Sequence, residues 1–230
     1  AAGATATTDE DGRATLTVGR GVPVSLSFTK PGFADQLKTL SLPVVAESGY
    51  LEVTMLAREA AMTLASAAKG GAVTGKDGAK VTFPANALVS ADGKPVTGPV
   101  QVAITPVDVA NDVRAFPGRF EGLRSNGQQG LIVSYGTAEF VVTAAGAPVQ
   151  LAPGKKAVIE LPIYTTLNLD GSSVEPGAKF PVWSLDEVTG AWIEEGTGTV
   201  VAIDGGDALA LRADVTHLSS WNHDQFNDPP

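Results

Sequence analysis

The chain of 230 residues contains no cysteine, only two histidines, and few charged residues, 18% in all. The missing thiols exclude a disulfide framework, a zinc knuckle and thiol catalysis. Two histidines leave little material for a metal centre or for histidine-based acid–base chemistry. No apolar run reaches the roughly 18–20 residues of a membrane-spanning helix. Positive charge is scarce as well: 16 Lys and Arg stand against 25 Asp and Glu, a formal net charge of −9. Lys155-Lys156 is the one adjacent basic pair. Nucleic-acid surfaces need clustered cations to neutralise phosphate, so this balance argues against such a partner, and an anionic membrane would repel the chain.

What is present is glycine and proline, 26 and 15 residues, within a chain that is 43% hydrophobic. That combination predicts a packed core assembled from short elements joined by turns. Alternating apolar runs predict strands at Thr15–Val18, Val22–Phe28, Tyr50–Leu56, Val100–Thr105, Ala138–Thr143 and Ala157–Leu161. Further runs follow at Lys179–Leu185, Ala191–Glu194 and Thr199–Ile203. Asp77-Gly78, Asp92-Gly93, Asp170-Gly171 and Asp204-Gly205 are hairpin signals, because glycine accepts the positive φ of such turns. Residues 57–68 are alanine-rich and favour a helix by propensity. Their setting, between a strand and Lys69-Gly-Gly71, predicts a connector and a strand near Met62–Ser66, with a helical turn as the alternative. The expected fold is all-β, with two antiparallel β-sandwich units. The first, residues 1–60, is incomplete at its amino terminus, and the second spans 61–230.

Two stretches resemble known families. Residues 7–18 and 24–33, Thr7-Thr-Asp-Glu-Asp-Gly-Arg-Ala-Thr-Leu-Thr-Val18 above all, resemble the back half of a carboxypeptidase-regulatory-like (transthyretin-like) sandwich. The front strands of that family are absent here. Residues 70–222 resemble the β-sandwich shared by netrin receptors, ankyrins and death-domain scaffold proteins, found also in exported bacterial proteins. The segments that carry this resemblance are Gly70–Leu88 with its Phe83-Pro-Ala-Asn-Ala-Leu88 turn, Pro99–Val107, Pro148–Pro162, Val182–Trp192 and Val215–Asn222. The pairing implies an extracellular or envelope-anchored scaffold, secreted or held at the periplasm or cell surface. Fold resemblance alone does not establish activity.

The sharpest candidate site is His217-Leu218-Ser219. Some relatives in the second family carry His-Phe-Ser in the terminal strand, adhesion-receptor autoproteolysis domains carry His-Leu-Ser or His-Leu-Thr, and both kinds cut themselves before the hydroxyl residue. The resemblance implies that His217 would take the Ser219 proton, and that the hydroxyl would attack the Leu218 carbonyl. The resulting ester would then be hydrolysed. Such a cut happens once per molecule and is maturation rather than turnover. The competing expectation is that Val215–Trp221 is an ordinary closing strand.

Other constellations are weaker. His217, His223 and Asp224 lack a further metal ligand, and Asp9-Glu-Asp11 and Asp204-Gly-Gly-Asp207 lack calcium-loop spacing. Gly70–Lys76 approaches a phosphate loop but places Asp77 where a Ser or Thr is needed. Trp183, Trp192 and Trp221 would suit either a core or a carbohydrate-stacking platform. Residues 111–130, with Arg114, Arg119 and Arg124, form the longest irregular stretch and a candidate binding loop.

The expected function is therefore a non-catalytic structural, adhesive or assembly module, without cofactor or metal. Its partners would be other chains or copies of itself, added through sheet edges. A self-processing domain and a carbohydrate-binding module are the alternatives.

Overall fold

A computed structural model of the chain describes residues 3–227. The protein is all-β; among the described residues the helical turns are three residues long. The strands are β1 Pro23–Phe28, β2 Gln36–Ser41, β3 Met62–Leu64, β4 Gly71–Thr74 and β5 Lys80–Phe83. They continue with β6 Leu88–Ser90, β7 Val100–Val107, β8 Glu121–Leu123, β9 Gln129–Ala144 and β10 Ala147–Leu151. The last five are β11 Ala157–Pro162, β12 Lys179–Leu185, β13 Trp192–Ala202, β14 Leu209–Val215 and β15 Ser220–Asn227.

Strands β1 and β2 pair only with each other, Pro23 opposite Ser41 through Phe28 opposite Gln36. The remaining strands form one sheet in the order β3-β7-β9-β15-β12-β13-β14-β11-β5-β4. Strand β10 bridges β9 to β6, and β8 lies between β9 and β13. Every pairing is antiparallel except the short one between β8 and β13. The two ends of the path, β3 and β4, lie against each other, so the sheet curls around its own apolar face. Phe83, Ile104, Phe140, Ile159, Leu161, Leu211 and Trp221 fill that interior.

A second, smaller core lies outside the curl, around Trp183 and Trp192. Val107, Val109, Ala115, Phe116 and Ile132 close it. Phe116 arrives from the 111–130 segment, so that stretch is no simple surface loop. It supplies a buried aromatic and the strand β8.

The strand prediction at Met62–Ser66 is met by β3, and residues 57–68 form no helix. Propensity yields there to the pairing of Met62–Leu64 with Val100–Val102. Other expectations need correction. Thr15–Val18 and Tyr50–Leu56 alternate as strands do yet join no ladder; Ala57 makes only an isolated bridge to Phe33. Strand propensity expresses packing against a neighbouring strand, and these segments have none. Within residues 3–60 the ordered pairing is thus a two-stranded sheet, not a two-layered unit.

Strand β9 is 16 residues long, far beyond the predicted Ala138–Thr143. Its first half was masked by a bulge: His223 faces Gly136 while Asp224 faces Ser134, leaving Tyr135 extra. The bulge breaks the period-two pattern that sequence reading depends on. Gly136 is required there, because a Cβ would strike the Pro162 carbonyl. Val215–Trp221 is not one strand. It is a corner, with β14 ending at Val215 and β15 starting at Ser220.

Candidate functional site

The corner between β14 and β15 carries the His-Leu-Ser triplet, and it borders a cavity. That cavity has a volume of about 350 Å³ and lies between the β1–β2 hairpin and the curled sheet. Leu218 and Ser219 belong to its wall; His217 points elsewhere. The His217 Nε2 lies 2.9 Å from Glu195 Oε1, and the ring tilts against Trp221 with centroids 4.8 Å apart. Glu195 Oε1 also accepts a 2.5 Å hydrogen bond from Ser184. Ser219 donates its hydroxyl to the Ser220 carbonyl at 3.3 Å. The structure therefore brings the three motif residues to one corner but directs the base toward Glu195 and the hydroxyl toward Ser220.

The residue that sequence reading missed here is Gln150. Its Nε2 donates to the Leu218 carbonyl at 2.8 Å, and its Oε1 accepts from the Leu218 N–H at 2.8 Å. A side-chain amide from β10 thus takes up both the N–H and the carbonyl of Leu218 in the corner that precedes β15. It polarises the carbonyl that a Ser219 attack would need, and it also locks that peptide in place. Nothing in Pro148-Val-Gln-Leu151 marks Gln150 apart from ordinary alternation.

A charged group ties the hairpin side of the cavity to the sheet. Arg58 donates to both carboxylate oxygens of Glu139, at 2.8 and 2.9 Å, and lies 3.8 Å from Asp35. Two-point guanidinium–carboxylate contact fixes orientation as well as charge. Burial, then the neighbouring Glu139, pushes the Asp35 carboxyl up, with Arg58 opposing. Other fasteners are Gln36 Nε2 to the Ala115 carbonyl at 2.8 Å and Lys38 Nζ to the Phe116 carbonyl at 2.6 Å.

His217 does not join His223 and Asp224 in space. His223 and Asp224 are both fully buried within β15, while His217 is half-buried at the corner. Among the described residues no group of three His, Asp or Glu side chains is placed to hold a metal ion. His223 packs between Tyr135 and Phe180, with centroids at 5.0 and 4.7 Å, and its two ring nitrogens make no hydrogen bond. Burial pulls its pKa down to about 3. Burial drives the Asp224 carboxyl well above its ordinary range, against hydrogen bonds from Ser134 and Asn222.

Trp183, Trp192 and Trp221 are all buried, so they build core and cannot present stacked faces to a sugar. Asp9 caps its own turn through the N–H groups of Asp11 and Arg13. Arg119 pairs with Glu121 at 2.8 Å, and Arg124 stacks over Phe226.

No family model matches the chain, and no solved structure matches it significantly. Among curated proteins, cartilage intermediate layer protein 2 of Mus musculus is 29% identical over 186 residues, covering 75% of this chain. The protein of the same name from Homo sapiens is 27% identical over 182 residues, covering 74%. The chain spans 15% of the length of each of these relatives, and at this identity the likeness is one of sequence to a segment of a much longer protein.

Proposed function

We propose that the chain is a non-catalytic structural and assembly module of a secreted or cell-envelope protein, joining other chains or further copies through an open strand edge. The observation that carries this reading is the β1–β2 hairpin. Strand β1 has no second neighbour among the described residues, and an isolated pair of strands is a marginal structure in water. Exposed apolar residues gather near its open end: Val22, Val44, Val45 and Tyr50. An open edge beside apolar surface is a template for strand addition. The relatives named for a layer of cartilage support an extracellular, structural setting. The resemblance of residues 70–222 to netrin-receptor and ankyrin-type sandwiches belongs to the same reading.

Light scattering across a concentration series tests it. The expected result is a molar mass that rises with concentration and falls back when a proline replaces Ser25 in β1. A stable monomer at every concentration would remove the homotypic form of the proposal.

A second reading, self-processing between Leu218 and Ser219, is favoured by one feature, the Gln150 amide on the Leu218 carbonyl. Intact mass under denaturing conditions, beside Ser219→Ala, decides it. Two fragments that are absent from the variant establish the cut, and one full-length mass rejects it.

A further inference from the structure

The turn between β8 and β9 carries Asn126 followed by Gly127, and no other asparagine in the chain precedes a glycine. Arg124 and Gln128 close this turn. The Gly127 N–H donates to the Arg124 carbonyl at 2.8 Å, and the Arg124 N–H donates to the Gln128 carbonyl at 2.8 Å. Gly127 has a φ of +86°, the left-handed conformation that completes a three-residue hairpin loop. Asn126 and Gly127 are both exposed. No atom of the described residues lies within 4 Å of the place where a Cβ on Gly127 would stand.

The Asn126 side chain folds back over the chain that follows it. Its Oδ1 accepts the Gln128 N–H at 2.9 Å, an Asx turn that lays the carboxamide along the Gly127–Gln128 backbone. That hydrogen bond polarises the carboxamide and would stabilise negative charge gathering on its oxygen. The nucleophile one residue on is the Gly127 nitrogen, which no side chain shields. Holding two reacting groups in one place removes much of the barrier to an intramolecular attack. Asn111 and Asn168 lack this setting. Asn111 precedes Asp112 and donates its amide to Asp108 at 2.7 Å. Asn168 precedes Leu169 and donates to Ser172 and Ser173 at 2.9 and 3.1 Å.

We propose that Asn126 is a site of spontaneous modification in the folded chain, converting to aspartyl and isoaspartyl forms, and that the isoaspartyl form loosens β8 from the second core. The Gly127 nitrogen bonds to the Asn126 side-chain carbonyl carbon. The side-chain nitrogen leaves as ammonia with the proton that Gly127 gives up, closing a cyclic imide. Water then adds to one ring carbonyl, breaks its bond to the nitrogen and returns a proton there. One water is consumed and one ammonia released overall. Opening at the main-chain carbonyl routes the backbone through the side chain and adds a methylene to the turn. The lengthened turn cannot keep both Arg124 backbone hydrogen bonds. The new carboxylate also stands one residue from the Ser125 N–H, which Glu194 Oε2 holds at 3.2 Å. Strand β8 has three residues, and its Gly122 packs where a Cβ would strike Trp183, so this turn fastens one edge of that core. The inference goes beyond the assembly reading and is independent of the β1 edge.

The test ages the full chain in heavy-oxygen water at mildly alkaline pH, folded and in urea, beside Asn126→Gln. Peptides cut at mildly acidic pH are then mapped by mass spectrometry, and isoaspartate is read by enzymatic methyl transfer. Asn126 is expected to convert ahead of Asn111 and Asn168 in the folded chain, with heavy oxygen in the product and more isoaspartate than aspartate. Asn126→Gln should lose the signal at this position, because its longer side chain does not close the same ring. The isolated isoaspartyl chain should lose amide protection at Gly122 and Leu123 while β15 keeps its own. Conversion confined to urea, or Asn111 converting as fast in the folded chain, would overturn the site. Aspartate without isoaspartate would overturn the imide route, and unchanged protection in β8 of the isoaspartyl chain would overturn the loosening. Should Asn126→Gln fail to fold, the comparison of folded chain with urea decides.

Discussion

Residues 3–60 and residues 61–227 share a strand-like vocabulary, alternating apolar residues between turns, but not the same outcome. In the later region each run finds a ladder partner, and the resulting sheet curls until β3 and β4 meet. In the earlier region only β1 and β2 pair, while Thr15–Val18 and Tyr50–Leu56 stay outside any ladder. The difference teaches that a period-two pattern specifies a surface that wants a neighbour and becomes a strand only where a neighbour exists. The later region holds its fold through buried aromatic cores. The earlier one is fastened largely by polar contacts: Arg58 to Glu139, Gln36 to Ala115, and Lys38 to Phe116.

Breaking the larger region should have the greatest effect. Trp192 is wholly buried beside Phe116. Trp192→Ala is expected to remove about 3–5 kcal/mol in urea unfolding, by lost burial and a residual cavity. The fastening of the hairpin comes next. Arg58→Ala leaves Glu139, whose side chain is 14% exposed, without its cation. The expected loss is about 1–3 kcal/mol, the penalty of an unpaired, largely buried polar group, with faster hydrogen exchange in β1 and β2.

A pH series sharpens the contrast from within the larger region. The folded pKa of His223, about 3, lies below its ordinary 6.5, so the unfolded chain binds more protons between those values. Stability from this group is complete above 6.5 and is lost as pH falls toward 3. The Asp224 carboxyl is raised, so the folded chain holds the proton longer, and its contribution weakens as pH rises above 3.8. His223→Phe should therefore flatten the acid side of the stability curve, and Asp224→Asn should stabilise more at neutral pH than in acid. A His223→Phe curve as steep as the wild-type one would contradict the assignment. The smallest effect belongs to the exposed end of the hairpin. Val45, 88% exposed, changed to Ser should alter monomer stability by less than about 0.5 kcal/mol, while reducing self-association.

How much of this was legible in the sequence depends on distance along the chain. Strand β12 was readable to the residue at Lys179–Leu185, from its apolar and aromatic content between turn signals, although its pairing with β13 shifts register between Val182 and Trp183. Strand β13 was split in two by Gly196-Thr-Gly198. The structure runs straight through it, since Leu211 packs where a Cβ on Gly198 would stand. The His-Leu-Ser triplet was visible as a motif, but its corner geometry was not. Gln150, 68 residues away from Leu218, and Glu195, 22 from His217, are tertiary neighbours that no local pattern announces. The Arg58–Glu139 pair spans 81 residues and was hidden for the same reason.

The most direct test of the central claim is amide hydrogen exchange at low and high protein concentration. The account predicts that Val24–Phe28 gain protection as concentration rises, while β9 and β15 stay equally protected throughout. Protection in β1 that is independent of concentration, or gained at β4 instead, would contradict assembly through the hairpin edge.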